Sequence, residues 1–420
     1  MRDIVIIGGG ASGMLCACAI KEHDNGTCNV TILERCEKVG KKILATGNGK
    51  CNFTNKNLVA SKYNNPEFVK HILKDYGNVE LINYFETIGL LSRELTQGRI
   101  YPFSETASQM NDVLKLHMQT LGVNVRTNCE VNNIAYKNGK YYIYNKSDRN
   151  VPMQADTIIF ACGGCSAPIL GSNGSGFNLL KPWKVDITSL QPGLVGLKVN
   201  DSFIKSLSGI RIKAVVNLIE KKSKKNVFSE KGEVQFKKDG ISGICVMQAA
   251  SFLTRFKKNT ELELDLMPDL NEFDLNVLLT TRRNLFLGMD LNKFFIGMFP
   301  KMIGSAILRK ANLDLSGYCD DLKPHEISKL TASIKHFTLN VKGDYGFENS
   351  QVTVGGISTN EVDPVTLRIK KMEDAYAIGE MLDIDGDCGG YNLSWAFASG
   401  YNVGKNIATE TAKEVEWENK

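Results

Sequence analysis

Proline is scarce: 10 in 420 residues, against about 21 at average usage. Collagen-like and disordered low-complexity chains are thereby excluded, because both draw on proline. Neither sign of charge dominates. Lys and Arg number 51, Asp and Glu 46, and the formal net charge of +5 is too thin an excess to call for a nucleic-acid or membrane partner. The densest basic run, Lys221-Lys222-Ser223-Lys224-Lys225, lies between two β-like segments and reads as a solvated hairpin tip. No apolar stretch approaches the ~20 residues that span a bilayer. Met1 to Ile7 carries one Arg and a short apolar run ending in glycines, unlike a signal peptide. Histidine is sparse too, and His23, His71, His117, His325 and His336 form no metal-ligand pair. Trp183, Trp395 and Trp417 form no array for stacking nucleic-acid bases. The 11 cysteines are odd in number and scattered, which suits a reducing cytoplasm better than a disulfide framework.

Glycine is in excess, at 38 residues against roughly 29 expected. Of these, 22 fall in segments 8–13, 40–49, 163–176 and 343–404, so the excess marks places where backbone turns tightly or approaches a ligand.

Asp3 to Ile7 reads as a buried strand, Ala11 to Lys21 as a small-residue helix, and Val30 to Glu34 as the next strand. This β-turn-α-β unit opens a doubly wound domain. Helical periodicity follows over 66–89 and 105–121, with strand-like pieces at 123–135, 140–145 and 155–161. From 190 to 265 the texture becomes short β segments with turns, and 269–334 carries helical apolar stripes. Glycine-rich α/β texture returns near 350. The expected organisation is therefore α/β: a Rossmann-like nucleotide-binding domain (1–188, with its second part and a return strand of the insert in 336–420) interrupted by a β-rich insert (189–267) and a helical insert (268–335).

Gly8-Gly9-Gly10-Ala11-Ser12-Gly13 fits G-x-G-x-x-G between that first strand and helix. Gly8 permits the turn, Gly10 the approach of a pyrophosphate, and Gly13 close helix–strand packing. The helix start, with Ala11 and Ser12, offers free N–H groups to phosphate. Glu34 ends the second strand, where a carboxylate accepts from ribose hydroxyls and repels a 2′-phosphate. That favours FAD or NAD over NADP in this pocket. A second glycine turn decides between them. Asp374 to Glu380 reads as a strand ending in Gly379-Glu380, followed by Asp383, Gly386 and Gly389-Gly390-Tyr391-Asn392-Leu393 before a helix over 394–407. FAD is long enough to reach from the first turn to this one, where a helix N-terminus stabilises negative charge on a reduced flavin. Between them, Gly40 to Asn55 forms a polar, glycine-interrupted loop whose Lys42, Asn48 and Asn52 suit phosphates or a flavin edge.

Other patterns fail their tests. Cys162-Gly-Gly-Cys165 has redox spacing, but no helix opens at its first cysteine. Asp383, Asp385 and Asp387 mimic a calcium loop, yet Cys388 and Ser394 stand where Gly and Glu are required. Gly240-Ile-Ser-Gly243 misses the nucleophile elbow by one residue.

The sequence resembles the bacterial FAD-dependent flavoproteins of the BaiN/YhiN type, also called aminoacetone-oxidase-like. The resemblance is carried by Ile6 to Gly13, by Gly40-Lys-Lys-Ile-Leu through Lys50-Cys-Asn-Phe-Thr-Asn55, by Gly98-Arg-Ile-Tyr-Pro-Phe-Ser104, and by Val354-Gly-Gly-Ile357 through Gly389-Gly-Tyr-Asn-Leu393. Phe160 to Ser166 and Gly171 to Gly176 add a weaker block. The resemblance implies a Rossmann-like domain carrying a β-barrel module and a small helical one. It also implies FAD contacts from Ser12, Glu34, Lys42, Asn48, Gly379, Asn392 and Leu393, with Val131 offering backbone to adenine; Arg35, Gly163 and Glu380 are further candidates for the cofactor site. Two departures stand out. Phe236-Lys237-Lys238-Asp239 replaces the Phe-Thr-His segment common in similar proteins, and Cys388 stands where threonine is expected.

The function expected is a cytoplasmic FAD oxidoreductase, reduced by NADH or NADPH, that saturates an activated C=C bond of a small-molecule substrate such as a 3-oxo steroid or bile acid. Tyr391, Tyr101 and Arg99 are candidates to protonate the acceptor or stabilise an enolate. With no second G-x-G-x-x-G, nicotinamide needs another kind of site. The competing readings are an amine oxidase passing electrons to O₂ and a flavin-dependent nucleic-acid-modifying protein. No nucleic-acid partner, membrane or metal is expected, and the sequence carries no signature of an oligomeric state.

Overall fold

The apolar run Ile4–Ile7, fully covered on both faces, forms the centre of a parallel sheet, the setting in which continuous rather than alternating hydrophobicity belongs. In this computed structural model, which describes residues 1–146, 151–256 and 259–418, five strands build that sheet. They are β1 (Arg2–Ile7), β2 (Cys28–Leu33), β3 (Asn124–Arg126), β4 (Thr157–Phe160) and β5 (Ala375–Ala377). Their spatial order is β3-β2-β1-β4-β5, and all pair in parallel. This is the dinucleotide-binding order, in which the order of strand addition reverses between β1 and β4 and leaves a crevice at their carboxyl ends.

Two helices sandwich together beside the sheet. Helix α1 (Ala11–His23) is buried continuously from Ser12 to Ile20. Helix α2 (Tyr391–Glu418) begins three residues before, and extends well beyond, the expected 394–407. Their backbones nearly touch: a Cβ on Gly400 would lie 2.3 Å from the Ser12 carbonyl oxygen, and one on Gly404 2.5 Å from that of Cys16. Region 66–89 is two helices, Pro66–Leu73 and Asn78–Thr87, because Gly77 caps the second. The Asn65 side chain accepts from the Phe68 N–H and caps the first. Between β3 and β4 an antiparallel meander (Val131–Lys137, Lys140–Asn145, Met153–Ala155) buries Tyr141.

The chain divides into two compact units, Met1–Pro192 with Ser350–Lys420, and Gly193–Asn349. The second holds a seven-stranded antiparallel sheet. Its edge strands, Phe337–Leu339 and Val341–Asp344, are separated in the chain only by Asn340. One residue thus joins opposite edges, which requires the sheet to bend round towards itself. Its longest hairpin, Arg211–Glu220 with Asn226–Lys237, turns at the basic run 221–225. Helices Glu272–Leu285, Lys301–Lys310 and Pro324–Lys335 share one core with this sheet, Leu264 clustering with Leu275, Leu279 and Leu330. The β-rich and helical inserts distinguished by texture thus lie in a single unit here. Among the described residues, no helix is long and apolar enough to cross a membrane.

Candidate cofactor site

The crevice at the switch point is built by backbone. Gly8 ends β1 with φ +113°, a conformation costly for any residue with a Cβ. A Cβ there would sit 2.3 Å from the Ala161 carbonyl oxygen at the end of β4. Gly13 brings α1 down onto the loop, since its Cβ would lie 2.1 Å from the Gly8 carbonyl oxygen. Gly10 caps α1 with no side-chain hydrogen bond, and a Cβ on it would meet nothing within 4 Å. Gly8 and Gly13 answer to the protein's own packing, whereas Gly10 borders open space at a helix start.

Glu34 is buried at 8% exposure and clamped by backbone donors. The Gly9 N–H donates to its Oε2 (2.8 Å) and the Cys36 N–H to its Oε1 (2.7 Å). The Cys129 N–H donates to the Glu34 carbonyl (2.9 Å), which carries Val131, two residues on and buried, alongside. Arg35 Nη1 is buried without a hydrogen-bond partner.

The distant glycine blocks close the same crevice. Gly379 follows β5, and a Cβ on it would lie 2.6 Å from Ser12 Oγ; its N–H donates to Ser399 Oγ (3.0 Å) and its carbonyl accepts from Trp395 Nε1 (3.1 Å). Glu380 pairs with Lys42 (2.6 Å) and accepts the Thr353 N–H (2.8 Å). Glu380 Oε2 lies 3.9 Å from the Cβ position of Gly163. Thr353 carried no motif signal of its own, but its Oγ1 accepts from the Cys165 N–H (2.7 Å). It ties the segment before Val354-Gly-Gly-Ile357 to the loop after β4.

At the start of α2 the expected residues are engaged with the protein itself. Gly390, at φ +100°, lets the chain pass with its Cβ position 2.3 Å from the Thr54 carbonyl oxygen. The Asn392 side chain accepts from the Gly386 N–H (2.9 Å) and donates to the Gly386 carbonyl (2.9 Å). Asp383 accepts from Thr188 Oγ1 (2.9 Å) and Asn64 Nδ2 (3.1 Å). The Tyr391 hydroxyl donates to the Asn57 carbonyl (3.3 Å), and Leu393 is partly buried against the core. Asn52 is likewise committed, donating to the Thr54 and Ile100 carbonyls. Asn48 is exposed, at φ 55°. Beside it, Tyr101 Cε1 lies 3.4 Å from the Cβ position of Gly47, and Arg99 Nε 3.5 Å from that of Gly389.

Cys162 and Cys165 are free thiols. Cys162 Sγ donates to the Ile7 carbonyl (3.3 Å), and burial, reinforced by the Glu34 charge, pushes its thiol up to about 12. Among the described residues no group of three or more His, Cys, Asp or Glu is placed to hold a metal.

The donor set fits FAD: glycine-lined backbone at a switch point, a free helix start and a buried carboxylate, with Arg35 Nη1 left unpaired one residue further on. These features define a Rossmann-type FAD-dependent oxidoreductase. The chain belongs to the HI0933-like Rossmann-domain family, whose model matches residues 2–406. It is 34% identical over 413 residues to a 3-dehydro-bile acid delta(4,6)-reductase of Clostridium scindens, covering 97% of this chain and 99% of that protein. It is 26% identical over 412 residues to a ribosomal RNA dihydrouridine synthase of Haemophilus influenzae, covering 97% and 98%. Among solved structures, a 3-ketosteroid-delta4-(5alpha)-dehydrogenase of Rhodococcus jostii aligns over 98% of this chain and 96% of its own, at 14% identity and TM-score 0.49.

Proposed function

We propose that this enzyme saturates a C=C bond conjugated to a carbonyl in a small organic substrate such as a 3-oxo steroid or bile acid, with NADH or NADPH as reductant and the cytoplasm as its compartment. The observation that carries the reading is the end-to-end likeness to the bile-acid reductase. The reaction class is reinforced by the second relative, since making dihydrouridine also adds two hydrogens across a C=C bond beside a carbonyl.

Bound FAD supplies the hydride chemistry, and the protein supplies binding, orientation and charge. Gly10, Ala11 and Ser12 present backbone donors to the pyrophosphate, Glu34 accepts from ribose hydroxyls, and Val131 offers backbone to adenine. Arg35, Gly163 and Gly379 line the crevice, with the Lys42–Glu380 pair closing it. Asp383 and Asn392 act by shaping the turns before α2, and contacts there run through the backbone of Gly390, Tyr391 and Leu393. Asn48, exposed beside Tyr101, is assigned to the flavin edge.

Anaerobic mixing with NADH or NADPH, followed by a 3-oxo-Δ4 steroid, tests the proposal. Bleaching of the yellow flavin and its return on adding the enone are expected; a flavin that neither nucleotide bleaches overturns it. A second reading, reduction of uridine in RNA, draws on the ribosomal RNA relative and on the hairpin region 205–238, which carries ten basic and three acidic residues. Reoxidation of the reduced flavin by an rRNA fragment but not by the enone selects that reading.

A further inference from the structure

Three tyrosines to which cofactor binding assigns no task pack into one cluster. Tyr84, on the helix Asn78–Thr87, and Tyr401, on α2, have ring centroids 5.0 Å apart, and Tyr76 stands 5.2 Å from Tyr401. Each of the first two has a base at its hydroxyl. The Tyr84 hydroxyl donates to Glu22 Oε1 (3.0 Å), which His117 Nε2 also meets at 2.6 Å. The Tyr401 hydroxyl lies 3.1 Å from His23 Nε2, which accepts the phenol proton when the ring hydrogen is on Nδ1. Burial first, then Cys18 and Glu22, raises Tyr84 well above the ordinary phenol value, and burial, Glu22 and Tyr76 push Tyr401 up to about 12. Both phenols therefore keep their protons at neutral pH, and neither ring gives up an electron readily unless the proton leaves with it.

The cluster has an inner and an outer end. Inward, Trp395 is 1% exposed and its Nε1 donates to the carbonyl of Gly379 (3.1 Å), the glycine that closes on Ser12 at the crevice. Trp395 and Tyr401 are six positions apart on α2, roughly 9 Å of helix rise. Packed rings fill the space beside them, Phe397 meeting Phe85 at 4.9 Å and Phe85 meeting Tyr84 at 5.7 Å. Outward, Tyr76 lines a surface groove with Asp75, Lys405 and Asn406. A buried indole or phenol needs only one hydrogen-bond partner to pack well. That need alone does not call for two bases and a line of oxidisable rings from crevice to groove.

We infer that Trp395, the Tyr84–Tyr401 pair and Tyr76 form a relay that carries a one-electron oxidising equivalent from the crevice to the surface. It clears peroxide-derived radicals that arise when reduced flavin meets O₂, and it rests on the crevice being the FAD site. The oxidant takes one electron from Trp395. Tyr84 or Tyr401 replaces that electron and passes its phenol proton to Glu22 or His23. Tyr76 then supplies an electron to the phenoxyl, which recovers its proton from the same base, while the Tyr76 proton goes to solvent. A solute thiol gives Tyr76 one hydrogen atom and leaves as a thiyl radical. The oxidant has gained one electron, the thiol has lost one, and the protein is unchanged.

The test uses the full chain with FAD bound. A blue laser flash makes the flavin itself a one-electron oxidant confined to its site, and transient absorption with EPR of rapidly frozen samples reads the aromatic radicals. In the wild type a tryptophan radical is expected to give way to a tyrosyl radical, with a solvent isotope effect on that transfer, and free cysteine should quench the tyrosyl signal. Tyr84→Phe combined with Tyr401→Phe should lose the tyrosyl signal and prolong the tryptophan radical, at wild-type FAD occupancy. Glu22→Gln combined with His23→Gln keeps both phenols, removes both bases and should slow the same transfer. Tyr76→Phe should keep the radical and lose its quenching by cysteine. A tyrosyl signal undiminished in the double phenylalanine variant, quenching untouched in Tyr76→Phe, or a wild type without any tyrosyl radical overturns the relay. The crevice is judged separately: a Glu34→Ala chain that purifies with full flavin overturns that reading, whatever the radicals do.

Discussion

Lys42 and Glu380, 338 positions apart in the chain, meet in an ion pair of 2.6 Å. Each belongs to a block that reads on its own as cofactor-binding, and together they join the loop after β2 to the turn after β5. The Thr353 N–H holds the other carboxylate oxygen at 2.8 Å, so the pair is fixed from a third segment as well.

The pair should therefore be measurable as a coupling. Its side chains retain 26% and 21% exposure, so solvent screening limits the energy to about 1 kcal/mol or less. Urea unfolding of the apoprotein in a double-mutant cycle of Lys42→Met and Glu380→Gln should return about 0.5–1 kcal/mol. A coupling indistinguishable from zero would mean that the two loops are held by backbone contacts alone.

Gly8 and Gly10 belong to one motif but should fail differently. Gly8→Ala places a methyl 2.3 Å from the Ala161 carbonyl oxygen at φ +113°, so soluble apoprotein should be lost or its stability cut by about 3 kcal/mol or more. Gly10→Ala meets nothing within 4 Å and has φ −84°, ordinary for alanine. Its apoprotein should melt as wild type while FAD affinity falls at least about tenfold. Thermal unfolding and flavin titration of the two variants distinguish these outcomes; an apoprotein destabilised by Gly10→Ala would place the methyl against protein rather than cofactor.

What was legible in the sequence follows the range of the constraint. The turn of Gly8 to Gly13, the strand before it and the carboxylate of Glu34 are local, and their spacing alone conveys them. Side-chain commitments set by tertiary contact were not legible. Asp383 reads as a flavin-side carboxylate, yet Thr188 and Asn64 hold it. Asn392 reads as a ligand and spends its amide on Gly386. In the second unit, periodicity reads 190–265 as β segments with turns, whereas Ile244–Phe256 is a helix, and it carries no information that Leu264 and Leu275 share a core.

Cys162 stands beside Cys165 in redox-like spacing, and its pKa decides its chemistry. Burial first, then the Glu34 carboxylate, raise the thiol to about 12, and only the thiolate is nucleophilic. At pH 8 the thiolate fraction is then about a thousandfold below that of a free cysteine of pKa about 8.5. Iodoacetamide labelling read peptide by peptide should find Cys162 the slower by a comparable factor, with a rate rising about tenfold per pH unit through pH 10 and no plateau. Labelling within tenfold of a free thiol at pH 8 would show a reactive cysteine at the crevice.

On the reductase reading, Tyr101 is the expected proton donor to the acceptor carbon. Among the described residues its hydroxyl has no hydrogen-bond partner, whereas that of Tyr391 is given to the Asn57 carbonyl. Burial raises the Tyr101 pKa above the ordinary phenol value, with Arg99 opposing. The net direction keeps the proton on oxygen at neutral pH, as a general acid requires. It lies against Gly47, in the loop that also carries Asn48, and Arg99 stands on the Gly389 side, where its charge can steady an enolate. Tyr101→Phe removes the proton and little else. In anaerobic stopped flow, flavin reduction by NADH or NADPH should stay within about twofold of wild type, while reoxidation by the enone slows by about 10²-fold or more. The two half-reactions share the flavin, so damage to the cofactor site would slow both. A variant that reoxidises at the wild-type rate would move the proton donor elsewhere and leave Tyr101 a packing residue.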